Sequence, residues 1–423
     1  MAALLGYVKR VYTSFYPPIA TKNTGALRIG ILGAANIAPL AIIIPAKSHP
    51  DVIVAAVAAR DYKKAEAYAK KHGIPIVHKT YDDVINDPAI DCIYNPLPNG
   101  LHYEWTLKAL KAGKHVLLEK PSVSNAEEAR SLFSHPILHG PGAPVLLEAF
   151  HYRFHPLWST TLSLFESDDV EEAVATNSCP GGMFPRDDIR FMYSLSGGTL
   201  MDLGTYTISA IRGIFNEEPL RVKSATCKTV PAPFDQKCDE AVSAEYEFSR
   251  GRVATINSDL QASGGYPFPA VTKNWPSLRN LIPKLVIKMR PRSEKVDDGL
   301  EKTTTKTIIV WNFMAPFLYN RIDSITKVQL RSPDGKVIKE NETVEYTKAY
   351  KWPTDQDNKK GEEWWTTYRY QLEEFVNRIK KRKGSGVWVG PEDSIKQMEM
   401  IDATYLKAGM PLRPTTRALE ASN

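Results

Sequence analysis

The sequence predicts an α/β fold: a doubly wound parallel sheet in the amino-terminal part, then an α+β domain on an open, mostly antiparallel sheet. Three observations carry this prediction. Short apolar runs alternate with amphipathic stretches from residue 27 to residue 148, the pattern of parallel strands joined by right-handed helical crossovers. The first run passes straight into a turn of small residues, Gly30-Ile31-Leu32-Gly33-Ala34-Ala35-Asn36-Ile37-Ala38. From about His151 the runs lengthen and alternate with polar residues, as half-exposed antiparallel strands do.

Taken in order, residues 1–26 form an extension whose Leu4, Leu5, Val8, Val11, Tyr12 and Phe15 fall on one helical face. The expectation is a helix packed on the protein's own body, with a membrane-surface or targeting role as the alternative. Leu27–Leu32 reads as a buried strand, followed by a helix from near Ile37. Val52–Ala58 is a second strand. Tyr62–His72 is helical, with its lysines outward and Gly73 as the stop. Ile90–Asn95 is a strand ended by Pro96 and Pro98, Leu101–Ala112 a helix closed by Gly113, and His115–Leu118 a strand. Asn125–Phe133 is helical and Val145–Glu148 completes this part. Beyond it, Val170–Asn177, Val222–Thr229, Ala241–Phe248 and Val253–Leu260 read as strands, and Thr205–Phe215, Trp364–Lys380 and Ser394–Ala408 as helices. The stretch from about 264 to 304, with Tyr266 and Trp275, is rich in Pro, Lys and Arg and reads as an elaborated loop or insertion.

A chain of 423 residues is expected to form about two domains, here 27–150 and 151–423. The formal charge of +6 is spread among acids rather than gathered in blocks, so nucleic-acid binding is not indicated. No run of about 18 apolar residues exists, so stable membrane insertion is not expected. Cys92, Cys179, Cys227 and Cys238 show no CxxC pairing and no histidines at ligand spacing, which argues against a metal centre or disulfide framework. With no secretory pattern at the start, a cytoplasmic location is expected.

The small-residue turn aligns on the dinucleotide fingerprint as Gly33-x-Ala35-x-x-Ala38. Small side chains let the amides of Gly33, Ala35, Asn36 and Ile37 approach a pyrophosphate at a helix start; a plain strand-to-helix turn has the same pattern. At the end of the second strand, Ala58-Ala59-Arg60-Asp61 puts a guanidinium where an acid would read the ribose hydroxyls of NAD. Arg60 can pair with a 2′-phosphate, so NADP is favoured, although Asp61 stands ready for the NAD role.

Three further motifs follow in order: Asn95-Pro96-Leu97-Pro98-Asn99-Gly100-Leu101-His102, then His115-Val116-Leu117-Leu118-Glu119-Lys120-Pro121, then Gly197-Gly198-Thr199-Leu200-Met201-Asp202-Leu203-Gly204-Thr205-Tyr206. This ordered set resembles the Gfo/Idh/MocA oxidoreductases, most closely the dimeric dihydrodiol dehydrogenases and the NADP-dependent D-xylose 1-dehydrogenases. The resemblance spans about 27 to 260, and the carboxyl-terminal helices weakly. It implies a Rossmann domain, a cleft against an open-sheet domain, frequent homodimers through that sheet, and hydride transfer between nicotinamide and a sugar or cyclic alcohol or ketone. Pro96, Asn99, His102 and Glu119 are then expected at the cofactor. Glu148-Ala149-Phe150-His151-Tyr152-Arg153-Phe154-His155-Pro156 resembles the segment that faces substrate in the family, which brings in Arg153 and His155. Many members carry histidine where this chain has Tyr206, which counts against an inositol substrate.

Alcohol oxidation needs a base for the hydroxyl proton and a donor for the oxygen. A free phenol near pKa ~10 is a poor base at neutral pH, and an adjacent ammonium lowers it. Tyr206 is therefore expected as the acid/base, with Lys120 tuning it and binding the oxygen; Lys120 as the base itself stays open. Asp202 either orients these groups or caps the following helix. A secondary-metabolite ketone reductase and a non-catalytic NADP- or sugar-sensing regulator are the alternatives, the second disfavoured by the presence of both Lys120 and Tyr206.

Overall fold

The computed structural model describes residues 2–262, 282–296, 299–353 and 359–420. Helix α1 (Ala2–Phe15) precedes a parallel sheet in the order β3-β2-β1-β4-β5-β6. Its strands are β1 (Leu27–Leu32), β2 (Val52–Ala58), β3 (Ile76–His78), β4 (Cys92–Asn95), β5 (His115–Leu118) and β6 (Leu146–Glu148). Between them lie α2 (Ile44–Lys47), α3 (Tyr62–His72), α4 (Tyr81–Asn86), α5 (His102–Lys111) and α6 (Ala126–Phe133). Helices on both faces leave residues such as Ile29, Ile31, Val57, Ile93 and Leu117 no water contact, which is why the strands are continuous apolar runs. The order reverses between β1 and β4, and a crevice opens there past the strand ends.

Two short elements lie outside the expected pattern. β3 has three residues and α4 has six, too few for a period to register, although Thr80 and Asp83 make a reciprocal capping box at the α4 start. After the Gly33 turn the chain enters a wide π-type turn at Pro39–Ile43 before α2, so regular helix begins later than expected.

A second sheet, of nine strands among the described residues, follows α7 (Pro156–Leu162). It contains β7 (Val170–Pro180), β8 (Arg221–Thr229), β9 (Asp239–Glu247), β10 (Val253–Ala262), β11 (Lys284–Met289), β12 (Arg292–Lys295), β13 (Glu301–Trp311), β14 (Arg321–Arg331) and β15 (Val337–Thr347). The order is β15-β14-β13-β11-β7-β10-β9-β8 with β12 on β13, and every pairing is antiparallel except β7 with β10. One face, with Ala173, Ala175, Ile256 and Ile287, is buried and helix α8 (Thr205–Phe215) packs on β7 of this sheet; the other face is open. Helices α9 (Thr367–Ile379) and α10 (Pro391–Lys407) follow, and a short helix α11 (Arg417–Glu420) comes last among the described residues.

The loop expected from 264 to 304 is corrected in its later part, which holds β11, β12 and the start of β13. Runs such as Thr303-Thr304-Thr305-Lys306-Thr307 put threonines and lysines at strand positions, so apolar alternation is hidden. Residues 263–281, with Tyr266 and Trp275, lie outside the described residues.

Helix α1 packs on the body as expected, but its face is corrected in part. The helix touches the body through Arg10, whose side chain donates to the Phe317 and Leu318 carbonyls, through Ser14, which donates to Trp364 O at 2.8 Å, and through Phe15, whose ring meets that of Phe317 edge-on at 6.2 Å. Leu4, Leu5, Val8 and Tyr12 face outward.

A fully buried ion pair braces the turn ahead of α8. Arg413 Nη2 donates to Asp239 Oδ1 at 2.6 Å and to the Tyr405 hydroxyl at 2.8 Å, while Arg413 Nε holds Gly197 O at 2.6 Å. Gly198 has φ +135, and a Cβ there would stand 2.2 Å from Asp239 Oδ1, so no side chain fits. Arg413→Ala is expected to lower stability by about 3–5 kcal/mol in chemical denaturation, because it strands the Asp239 charge; a loss under about 1 kcal/mol would show that water replaces the guanidinium.

Candidate active site

A cleft of about 590 Å³ lies between the carboxyl ends of β1, β4 and β5 and the segment entering α8. Gly33 sets its floor. The Gly33 N–H donates to Ala58 O at 2.6 Å, its φ is +90, and a Cβ would press on Leu97 Cδ2 at 3.2 Å. The same hydrogen bond lays the end of β2, and so Arg60, beside the turn. Ala35, Asn36, Ile37, Pro96, Asn99, His102, Glu119, Lys120, Asp202 and Tyr206 all line this cleft with Gly33.

Buried side chains hold the loops in place. His102 Nε2 lies 2.6 Å from Leu97 O and Nδ1 lies 2.9 Å from Pro121 O. Burial outweighs those carbonyls and holds its pKa near about 4, so the ring is neutral and donates to one of them. The His102 ring thus packs between the Leu97 and Lys120 turns, bonded to one carbonyl and with the other facing its remaining nitrogen, so neither ring nitrogen is left for a ligand. Glu119 is buried too, with Oε1 accepting from the Tyr94 hydroxyl at 2.7 Å, and burial pushes its carboxyl up.

Asp202 joins the two sides. Lys120 Nζ donates to its Oδ1 at 2.6 Å and to its backbone carbonyl at 2.9 Å, and Arg190 Nε donates to Oδ2 at 2.9 Å. Burial alone would raise this carboxyl, but Lys120 and Arg190 hold it down at about 2. Arg190 is itself steadied by Asp188 at 2.9 Å. The lips of the cleft touch where Asn99 Nδ2 donates to Ser196 O at 3.0 Å.

Tyr206 lies on the buried side of this pair. Its hydroxyl is 3.1 Å from His151 Nε2, and His151 Nδ1 is 2.8 Å from Thr367 Oγ1. Burial, then the field of Lys120, pushes His151 down to about 3, so it is neutral. The lowered phenol expected of Tyr206 is not found. Burial raises it well above the ordinary value, and the nearby Tyr368, Glu119 and Asp202 add to that. The Lys120 ammonium sits 4.6 Å from the centroid of the phenol ring, over its face, and is occupied by Asp202.

Other expected residues stand apart. Arg60 is exposed at the end of β2, outside the cleft lining. The substrate-facing placement expected of Arg153 and His155 is not found. Arg153 turns into a separate pocket and pairs with Asp393 at the start of α10, because that acid and Arg212 form one ionic cluster. His155 is buried, caps α7 by accepting from Leu157 N at 3.1 Å, and packs edge-on to Tyr370. Conversely, Arg190, Phe184 and Tyr368 line the cleft and His151 backs Tyr206, none of them singled out by the sequence. His151 stands in the quoted segment at 148–156; Arg190 comes from a loop with no local signal.

These features define a nucleotide-dependent α/β protein whose cleft is completed by a second, open sheet. The chain belongs to the Gfo/Idh/MocA oxidoreductase family: residues 27–136 match the model for an oxidoreductase family with an NAD-binding Rossmann fold, and residues 169–276 match that of the GFO/IDH/MocA C-terminal domain. It is 37% identical over 236 residues to an NADP(+)-dependent D-xylose 1-dehydrogenase of Haloferax volcanii, covering 55% of this chain and 70% of that protein. It is 33% identical over 223 residues to a trans-1,2-dihydrobenzene-1,2-diol dehydrogenase of Xenopus laevis, covering 52% and 64%. A 3-ketoreductase from Actinomadura kijaniata, solved with NADP and TDP-benzene, shares the fold with a TM-score of 0.65 at 20% identity, over 90% of this chain and 97% of that one.

Glu148, at the end of β6, accepts from Ser122 N at 2.9 Å and so steadies the turn after Lys120; burial pushes its carboxyl from 4.5 up to about 7. The folded chain therefore holds this proton more tightly than the unfolded chain. Its contribution to stability is full below 4.5 and is lost as pH rises through about 7. Glu148→Gln, which keeps an acceptor for Ser122, is expected to flatten the fall of Tm over that interval; an unchanged slope would mean that Glu148 is already ionised in the folded chain.

Proposed function

We propose that this chain is an NADP-dependent oxidoreductase that interconverts a hydroxyl and a carbonyl on a sugar or a cyclic alcohol. The observation that carries this reading is the meeting of Lys120 from one sheet with Asp202 and Tyr206 beside the other, in the cleft onto which the Gly33 turn opens. Residues 27–150 then serve as the cofactor domain and 151–423 as the substrate and dimerisation domain, with 1–26 outside both. The small side chains of Ala34 and Ala35 leave the amides of Ala35, Asn36 and Ile37 open to a pyrophosphate, whereas the Gly33 amide expected there is spent on Ala58 O and serves the turn instead. Arg60 stands beside that turn for the 2′-phosphate. Pro96, Asn99 and Glu119 form the wall along the cofactor, held by His102 from behind.

When bound, the nicotinamide supplies or takes up the hydride, and one proton is exchanged for each hydride. Lys120 has three N–H donors, two of them spent on Asp202, so one remains for the reacting oxygen. Asp202 aims that ammonium. Tyr206 holds its proton at neutral pH and gives it to the oxygen of a carbonyl being reduced. His151, neutral and backed by Thr367, can donate from Nε2 to the phenol oxygen as the proton leaves. In the oxidising direction the same groups act in reverse.

The relatives' names support sugars, dihydrodiols and sugar ketones as the substrates to screen with NADP and NADPH. We also propose a cytoplasmic homodimer. The four cysteines are free, as in a reducing compartment, and the open sheet face aligns Ile309 and Tyr346 on either side of Asp323, and Thr307 and Val344 on either side of Ile325, a surface a second copy can cover.

Lys120→Met and Tyr206→Phe are each expected to lower kcat by about 10²-fold or more while NADP binding survives; near-normal turnover in either variant sinks the assignment. Arg60→Ala is expected to weaken NADP at least about tenfold and to leave NAD nearly unchanged. Equal losses for the two cofactors would remove Arg60 from the 2′-phosphate site.

A further inference from the structure

Helix α1 turns its polar residues inward. Arg10 donates to Phe317 O and Leu318 O at 3.3 and 3.2 Å, with its guanidinium 3.6 Å from the Tyr350 ring centroid, and Ser14 bonds Trp364 O. Facing away are Leu4, Leu5, Val8 and Tyr12, each more than half exposed, and just beyond the helix Tyr16 and Ile19, at 69% and 82%. Tyr12 and Tyr16 stack with centroids 4.9 Å apart on this side. Apart from half-buried Val11 and from Phe15, whose ring meets Phe317 edge-on, the helix is anchored by its polar side and presents its apolar side to water, the reverse of what packing on the body requires.

We infer that α1 seats the protein on the surface of an anionic lipid bilayer, the helix lying in the interface with its outward side chains among the acyl chains. Its 14 residues make a helix about 21 Å long, too short to cross a bilayer that needs roughly 20 residues, yet suited to lie along one. The face is about 21 Å by 10 Å, well short of the roughly 800 Å² per partner that a stable protein interface buries; lipid needs no complementary shape and no minimum area. Charge points the same way. The first 50 residues contain no Asp or Glu, and Lys9 lies exposed beside Leu5 and Tyr12, where an anionic headgroup would pair with it. Tyrosines flanking an apolar strip match the amphipathic chemistry of the headgroup layer. The surface is separate from the cleft, so docking leaves the cofactor and substrate groups free.

The full chain is tested by co-sedimentation with phosphatidylcholine vesicles with and without phosphatidylserine. The wild type is expected to sediment with the phosphatidylserine vesicles and to do so less as salt rises. The triple variant L5D/V8D/Y12D is expected to lose at least about tenfold in vesicle binding with an unchanged melting curve, and Lys9→Glu at least about fivefold. If the triple variant does not fold, Tyr12→Asp and Lys9→Glu carry the same comparison. A wild type that stays in solution with both vesicles, or variants that bind as well as the wild type, would overturn the proposal. A dimer in light scattering that L5D/V8D/Y12D dissociates, without vesicle binding, would assign the face to a second copy instead.

Discussion

The carboxylate of Asp202 takes one cation from each side of the cleft, and the placement of the other candidate groups follows from that pairing. A carboxylate withdrawn from water is tolerated only with compensating charge and hydrogen bonds. Lys120, at the end of β5, and Arg190, from the loop that precedes α8, supply both. Because Lys120 also reaches the Asp202 backbone carbonyl, the ion pair holds the entry to α8 as well as a side chain. Tyr206, four residues on, is then placed beside the lysine, with its ring under the ammonium and its hydroxyl turned to His151.

Such a pairing works only if both partners are presented rigidly, and the structure builds a support on each side. On the Rossmann side, the buried His102 ring packs between the Leu97 and Pro121 carbonyls, donating to one of them, and Glu148 receives the Ser122 amide, so the turn carrying Lys120 is held in place. On the other side, Arg413 and Asp239 grip the Gly197-Gly198 turn and the amide of Leu200. These supports are buried, where a hydrogen bond lacks competition from water and an unpaired group is costly. The contact of Asn99 with Ser196 joins the two sides at the mouth of the cleft.

The phenol of Tyr206 shows how far a pairwise expectation can mislead. A lysine beside a tyrosine suggests a lowered phenol, but the ammonium here is matched by Asp202 and faces the ring rather than the oxygen. Burial then dominates, and the phenol keeps its proton. The arrangement suits a proton donor polarised from behind by a neutral histidine more than it suits a phenolate.

Much of this was legible in the chain because it depends on neighbours in sequence. The alternation of strands and helices up to residue 148, the glycine turn at 33, and the residue types at 119–121 and 202–206 are local patterns set by backbone geometry and by periodic burial. Elements too short for a period, such as β3, and strands whose alternation is masked by threonine and lysine, such as β13, were not. Nor was side-chain direction. Arg153 turns to Asp393, His155 caps a helix, Arg190 enters the cleft from a loop, and α1 rests on Arg10 rather than on its leucines, because each choice is settled by a partner far away along the chain. The sequence by itself determined which groups are present and the turns that carry several of them; only the tertiary structure decided which of them meet, since burial and charge pairing act across space and not along the chain.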